Sequence, residues 1–351
     1  MTRERTIGFG LIGAGTAAAT HAREIAHVAG ATIVAVQARD ANKAAAFAAR
    51  HGIARACSDL REMLSDAAID GVIITTPNAL HLDAAEMAAS MGKYVVVEKP
   101  LEITAERARR LIACCESAGV GLEVIYQRRH SAAAAQARAD VLSGALGRIV
   151  MVNIVDNQFR SPEYYARDAW RGTRALEGGG CVITQATHML DLAQYLVGDV
   201  VAVQARTGTF LHRIETEDTA VATLEFANGA FGTFSASTAT APGLRHMLTI
   251  AGTEGSIILN GEHDQILFRQ VAGEGASPIP AGFSFADPSD PRDYPTLGQR
   301  RQLQDIVDRM RAGLPPPPVD GALRSVLLVD AIYASAAAGG TRQTLPSITL
   351  P

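Results

Sequence analysis

Short apolar runs alternate with alanine-rich helical stretches through the first third of the chain. The run "TIGFGLIGAG" is cut by glycines, "TAAATHAREIAHVAG" follows with helical spacing, and "ATIVAVQARD" is a second apolar run. The alternation continues through "DGVIITTPNALHLDAAEMAASMGK", "YVVVEKPLEITAERARRLIACCESAG" and "VGLEVIYQRRH". Apolar runs without polar alternation suit strands buried on both faces, and strands separated by helices with short links predict a parallel, doubly wound sheet. Thr104 is placed to cap the helix that follows "EKPLEI".

After Gln127 the pattern changes. A helical segment, "SAAAAQARADVLSGALG", leads into segments rich in β-formers: "RIVMVNIVDNQFR", "VVAVQARTGTF", "DTAVATLEFA", "AFGTFSAST", "RHMLTIAGTEG" and "SIILNG". Asn228-Gly229 between two of them is a hairpin signal. These segments predict an α+β region with a large, mostly antiparallel open sheet, one face on helices and the other free to be a subunit interface. The boundary is placed at residues 1–125 for the first domain and 126–351 for the second. A Pro/Gly/Asp-rich stretch from about Gly273 to Tyr294 reads as a long loop near the active site. Pro315 to Pro318 reads as a spacer between two late helices. In "EGGGCVITQATHMLDLAQYLVG", Gly178 to Gly180 let something approach closely. On the predicted α-helix after them Thr184 and His188 share a face, with Asp191 one turn further on.

Length and composition narrow the class. A chain of 351 residues is too long for one ordinary core and suggests about two domains. Hydrophobic residues make up 48% and charged residues 19%, as in a globular enzyme, and a net charge of −4 argues against nucleic acid or an acidic membrane surface as partner. Cys57, Cys114, Cys115 and Cys181 form no C-x-x-C pair and read as reduced thiols in a cytoplasmic protein. Glycines break the apolar stretch at the N-terminus, so no signal peptide is read there, and no run reaches the roughly 18 apolar residues of a membrane span. No metal site is expected.

The candidate chemistry begins at Gly13, Gly15 and Ala18, which fit G-x-G-x-x-A, with Thr16 inside the turn. The first glycine permits a tight turn, the second lets backbone approach a pyrophosphate, and the small third residue lets helix and strand pack closely. The strand before this turn and the helix after it make this a dinucleotide-binding, Rossmann-type unit. The second strand ends Gln37-Ala38-Arg39-Asp40. Ala38 stands where an acid would hold the ribose 2′-OH of NAD, and Arg39 and Lys43 follow. That pattern favours the 2′-phosphate of NADP; in the alternative, Asp40 holds the ribose of NAD. Ligands bind at the carboxyl ends of such strands. Those ends carry Thr76, Pro77, Asn78 and His81, then Glu98, Lys99 and Pro100. In "VVVEKPLE" an apolar strand stops on a charged pair, and such a charge needs a partner or a role.

With "GLIGAG", "TPNALH", "EKP", "YYARDAWRG" followed by "EGGG", "THMLD" and the late "AIYASAAAG", nearly the whole chain resembles the glucose–fructose oxidoreductase / inositol dehydrogenase (Gfo/Idh/MocA) family. The resemblance implies a nicotinamide-dependent oxidoreductase acting on a hydroxyl/carbonyl pair of a sugar or cyclitol. It implies Lys99 as the catalytic lysine, His188 as the substrate-binding or catalytic histidine, and Pro100 as the shaper of the turn. Asn78 and His81 would lie near the nicotinamide ribose. Glu98 is a candidate to orient Lys99. Tyr126, Arg128, Tyr164, Tyr165, Trp170, Arg171, Thr184 and Gln185 are candidates for the substrate side, and packing roles remain open for each. Many members read G-G-G-x-x-x-D-x-G-x-H; here Thr184 and Ala186 take the places of the acid and the last glycine. Three rival activities remain open: redox-neutral glycoside cleavage with bound NAD, dihydrodiol oxidation, and non-catalytic cofactor sensing. The expected assembly is a homodimer or homotetramer through the second domain's sheet.

Overall fold

A computed structural model describes residues 5–261, 264–277 and 294–346. Among them the chain forms two compact units, one from residues 5–127 and 296–319, the other from 128–261, 264–277, 294–295 and 320–346.

The first unit is built on strands β1 (Ile7–Ile12), β2 (Ala31–Gln37), β3 (Arg55–Cys57), β4 (Gly71–Ile74), β5 (Tyr94–Glu98) and β6 (Leu122–Ile125), in the order β3-β2-β1-β4-β5-β6. All five pairings are parallel. The order reverses direction between β1 and β4, and ligands of such sheets bind outside the carboxyl ends at that point. Helices α1 (Thr16–Ile25), α2 (Ala41–His51), α3 (Leu60–Leu64), α4 (His81–Ser90) and α5 (Ala105–Ala118) make the crossovers. Local chemistry sets their ends. Asp40 Oδ1 accepts from the N–H groups of Asn42 and Lys43 at 2.9 and 3.2 Å, and Gly52 closes α2 at φ 67°. Thr104 caps α5 through Arg107 N at 3.3 Å, as its sequence position predicts.

The second unit holds an eight-stranded sheet. Its strands are β7 (Ile149–Asn157), β8 (Val200–Gly208), β9 (Thr219–Phe226), β10 (Phe231–Ser237), β11 (Met247–Gly252), β12 (Ser256–Asn260), β13 (Gln265–Gln270) and β14 (Gln343–Thr344), ordered β13-β12-β11-β7-β10-β9-β8-β14. Only the β7–β10 pairing is parallel. The Asn228-Gly229 turn joins β9 to β10 with Gly229 at φ 85° and Phe226 N–H donating to Ala230 O at 2.9 Å. Helices α6 (Ala132–Leu142), α7 (Pro162–Ala166) and α8 (Thr187–Val197) belong to the same unit. Strand β9 alternates strictly, with Ala220, Ala222 and Leu224 buried and Val221 and Thr223 exposed, so the sheet has one covered and one open face.

Two late helices precede β14, α9 (Leu297–Ala312) and α10 (Asp320–Ala337), with Pro315 to Pro318 between them. Residues 296–319 lie in the first unit, although the sequence reading assigned everything after 125 to the second. The reason is burial: Leu303, Ile306 and Val307 of α9 are fully enclosed in the same core as Phe9, Leu11, Val36, Ile73 and Val96. Each such side chain contributes about 1.5–3 kcal/mol. Polar contacts fix the seating, with Gln302 Nε2 donating to Val124 O at 2.8 Å and Arg300 Nε to Glu24 Oε2 at 2.9 Å. Most of the loop expected from Gly273 to Tyr294 lies outside the described residues.

Glu123, on β6, is an inward carboxyl that accepts from Tyr94 Oη at 2.7 Å. Burial pushes it up to about 7, and its tyrosine donor only partly offsets this. Its folded pKa therefore lies above the unfolded value, and the fold loses stability as pH rises from about 4.5 towards 7, then levels off. Glu123→Gln keeps an acceptor for Tyr94 and removes the charge. Denaturant melts are expected to show the variant more stable than the parent by about 1–3 kcal/mol near pH 8 and equal to it near pH 4. A variant less stable at both pH values would show that the charge is not what burial penalises.

Candidate active site

The first unit presents the glycine turn after β1. Gly13 has φ 106°, and a Cβ there would lie 2.7 Å from Thr75 Oγ1. Gly15 is the N-cap of α1, meets nothing within 4 Å of a built Cβ, and is exposed with Thr16, whereas Ala18 is fully buried. No side chain caps α1. An uncapped helix N-terminus beside open backbone suits an anionic pyrophosphate. The Thr76 hydroxyl, at the carboxyl end of β4, is buried without a partner among the described residues. These features fit a nicotinamide dinucleotide, which Gly13, Gly15, Thr16 and Thr76 would hold. At the end of β2, Ala38 is half-buried and its N–H donates to Cys57 O at 3.1 Å. Arg39 and Lys43 are exposed, and Asp40 is engaged as the cap of α2.

The ends of β4 and β5 are locked together. Pro77 leads into a 3₁₀ turn, Asn78–Leu80, in which Asn78 is buried. His81 is buried, with Nδ1 2.9 Å from Pro100 O and Nε2 3.1 Å from Thr76 O. Burial pulls its pKa down despite Glu102 and the two carbonyls, and a neutral ring donates to only one of them at a time. His81 thus spans the two strand ends as a clamp. The Lys99–Pro100 peptide is cis. Glu98 sits 2.8 Å from His21 Nε2 and accepts from Lys99 N at 3.2 Å, while Gln299 Nε2 of α9 lies 3.1 Å from both ring nitrogens of His21. Burial alone would raise Glu98, but His21 and the Lys99 charge outweigh it and hold the carboxyl low. Lys99 itself is half-buried, and Tyr126, just past β6, is buried.

In the second unit the glycine triad admits other parts of the protein. A Cβ on Gly179 would fall 2.0 Å from Tyr333 Oη, and one on Gly180 would fall 1.8 Å from Glu217 O. Glu217 accepts from Gly180 N and Val182 N at 3.0 Å and from Tyr333 Oη at 2.9 Å. The helix that follows starts as a π-helix, Val182–Ala186, and becomes α8 at Thr187. A regular i, i+4 α-helical face at Thr184 and His188 is therefore replaced by a wider turn, a device common at functional sites. His188 is nearly buried in the first turn of α8. Asp191 binds Arg129 Nε at 2.7 Å and Ser325 Oγ at 2.9 Å, which gives it a structural role.

Four of the expected substrate-side residues do cluster. Tyr164 Oη accepts from Arg171 Nη1 and, at 3.2 Å, from Gln185 Nε2. The Arg171 guanidinium lies over the rings of Tyr164 and Trp170, at 4.1 and 4.6 Å, and donates to Asp168 Oδ2 at 3.1 Å. Arg128 lies apart from them, 2.9 Å from His246 Nδ1. Tyr165 is a core residue, buried with its hydroxyl 2.8 Å from Thr238 Oγ1. The sequence reading passed over His21, Glu177 and Glu217. Glu177 stands directly before the glycine triad, which was the one available signal; His21 and Glu217 give none, because their partners are 77 and 37 residues away.

Comparisons with known proteins identify the family and the fold. Residues 7–126 match the family described as oxidoreductase family, NAD-binding Rossmann fold, and residues 134–258 match the GFO/IDH/MocA C-terminal domain. Levoglucosan dehydrogenase of Pseudarthrobacter phenanthrenivorans is 31% identical over 68% of this chain and 72% of its own. The scyllo-inositol 2-dehydrogenase (NAD(+)) of Bacillus subtilis is 28% identical over 79% of this chain and 81% of its own. The WlbA dehydrogenase of Bordetella pertussis, solved with NADH and UDP-GlcNAcA, is 32% identical with a TM-score of 0.83, over 98% of this chain and all of that one. Among the described residues no helix is long and apolar enough to cross a membrane, and no group of three or more His, Cys, Asp or Glu is placed to hold a metal.

Proposed function

The chain belongs to the Gfo/Idh/MocA family of NAD-binding oxidoreductases, and from that premise we propose that it moves a hydride between a nicotinamide cofactor and the hydroxyl/carbonyl pair of a sugar or cyclitol. Lys99 carries the reading. It directly follows β5, in the sheet that bears the glycine turn, with its backbone N–H held by Glu98 and the Pro100 carbonyl held by His81. When bound, the nicotinamide supplies the hydride acceptor. Lys99 takes the proton of the reacting hydroxyl, and His188 holds the oxygen. Arg171, Tyr164, Trp170 and Gln185, already ordered by one another, offer donors and an aromatic surface to the rest of the polyol. The sugar and cyclitol activities in the relatives' names support that substrate class.

Lys99→Ala is expected to lower turnover by about 10²–10⁴-fold with cofactor affinity nearly unchanged. A variant that loses stability and keeps turnover would reduce Lys99 to an ion-pair partner. For the cofactor we favour NADP(H), because Ala38 offers no carboxylate to a ribose, Asp40 caps α2, and Arg39 and Lys43 are exposed beside it. The relative solved with NADH makes NAD the alternative. Charge-assisted hydrogen bonds to a phosphate are worth about 1.5–3 kcal/mol, or roughly ten- to a hundred-fold in affinity. Titration calorimetry should show NADP(H) bound more tightly by that factor, and Arg39→Ala should erase most of it; equal or tighter NAD(H) binding in the parent would refute the choice. The open sheet face carries Met151, Val221 and Phe231 at 40–64% exposure, and a face of this kind serves copies of the chain as a dimer or tetramer interface. Light scattering at micromolar concentration should find an oligomer, and Phe231→Lys with Val221→Lys should shift it towards monomer; a parent that is monomeric throughout would overturn the assignment.

A further inference from the structure

Glu177 is a buried carboxyl that the mechanism above leaves unused. It follows α7 and directly precedes the glycine triad. One oxygen accepts from Gly172 N, and the carboxyl also pairs with the side chain of Thr184 in the π-helix, which opens the helix bearing His188. The two residues differ in exposure: Glu177 is sealed, while Thr184 is half-buried and reaches the surface of the unit. Residues 181–187 contain no acid; Glu217 reaches the turn at the Val182 N–H, and Glu177 reaches it at the Thr184 side chain.

We propose that Glu177 is a positioning residue that sets, through Thr184, whether the hydroxyl ahead of His188 offers a lone pair or a proton to a bound polyol. The inference rests on the reading of Thr184 and His188 as substrate-side residues. Ionised, Glu177 can only accept, so the Thr184 proton is committed to it and Thr184 Oγ1 faces outward as an acceptor. Protonated, Glu177 donates to Thr184 Oγ1 and releases the Thr184 proton to another acceptor. Ionisation releases one proton from Glu177 to solvent and protonation takes it back, Thr184 keeps its own proton throughout, and no group is oxidised or reduced.

The surroundings bring this change into the neutral range. Burial drives Glu177 up to about 7, against the lowering effect of Gly172 N–H, the Thr184 hydroxyl and the Arg171 charge; the carboxyl of Glu217 adds to the rise. Tyr165 of α7 also faces Glu177, and burial keeps its phenol neutral. The direction follows: above about pH 7 Thr184 is an outward acceptor, below it an outward donor.

The test compares the parent with Glu177→Gln, Thr184→Val and Thr184→Ser. The amide of Glu177→Gln imitates the protonated carboxyl at every pH. Two readouts are taken between about pH 5 and 9. The first is the carboxyl signal of Glu177 in protein carrying 13C-labelled glutamate, identified by its absence from Glu177→Gln. It is expected to titrate near neutrality, to move upward by about half a unit or more in Thr184→Val as a lowering hydrogen bond is lost, and to return in Thr184→Ser. The second is kcat/KM for a polyol at saturating cofactor. The parent is expected to show an inflection at the same pH, carried mainly by KM, and Glu177→Gln to lose it. A carboxyl that titrates in the ordinary glutamate range, or is indifferent to Thr184→Val, overturns the proposal, as does an inflection unchanged in Glu177→Gln. If no sugar or cyclitol is turned over, the functional reading falls, and the NMR titration still tells whether Glu177 and Thr184 act as one unit.

Discussion

A carboxylate at the end of an apolar strand must be neutralised or solvated, and Glu98 is the point from which the first unit is organised. Its partner His21 is on α1, the helix that begins at the glycine turn, and its own second oxygen takes the N–H of Lys99. One half-buried group therefore joins the helix that begins at the glycine turn to the lysine that directly follows β5. Gln299 extends the contact to α9, and this helps explain why a segment nearly 300 residues along the chain returns to the first sheet. The apolar stripe of α9 supplies the energy, and the polar contacts supply the register.

The second unit uses buried carboxyls in a related way. Glu217 collects backbone N–H groups at the head of the π-helix, Asp218 collects those of Phe210, Leu211 and His212, and Asp191 holds Arg129 and Ser325. Each removes orphan donors that burial would otherwise penalise. The glycine triad is explained by the same economy of space, because the Glu217 carbonyl and the Tyr333 hydroxyl occupy the volume of the missing side chains. His188, Thr184 and Gln185 stand on a helix start that is held from behind, so their side chains are positioned without relying on a ligand to order them.

Several features were readable from local pattern. The alternation of apolar runs with helical stretches gave the parallel sheet, Asn228-Gly229 gave the β9–β10 hairpin, and Thr104 gave the start of α5. The glycine turn and the strand-end positions of Thr76 and Lys99 followed from spacing alone. Strand β13 escaped notice because its apolar stretch in "QILFRQ" is short and flanked by polar residues.

What the amino-acid order determined by itself is what depends on neighbours within a few residues: periodicity, caps, turns, and the placement of a lysine at a strand end. Only the tertiary structure decided which partners the buried charges found. His21 with Glu98, Glu217 with the glycine triad, and α9 with the first core are all contacts between distant segments. The same holds for Tyr165, which looks like its neighbour Tyr164 in sequence but is turned into the core. The physical reason is that local propensity fixes a residue's backbone state, whereas burial and hydrogen bonding are settled by whatever the rest of the chain brings within about 3 Å.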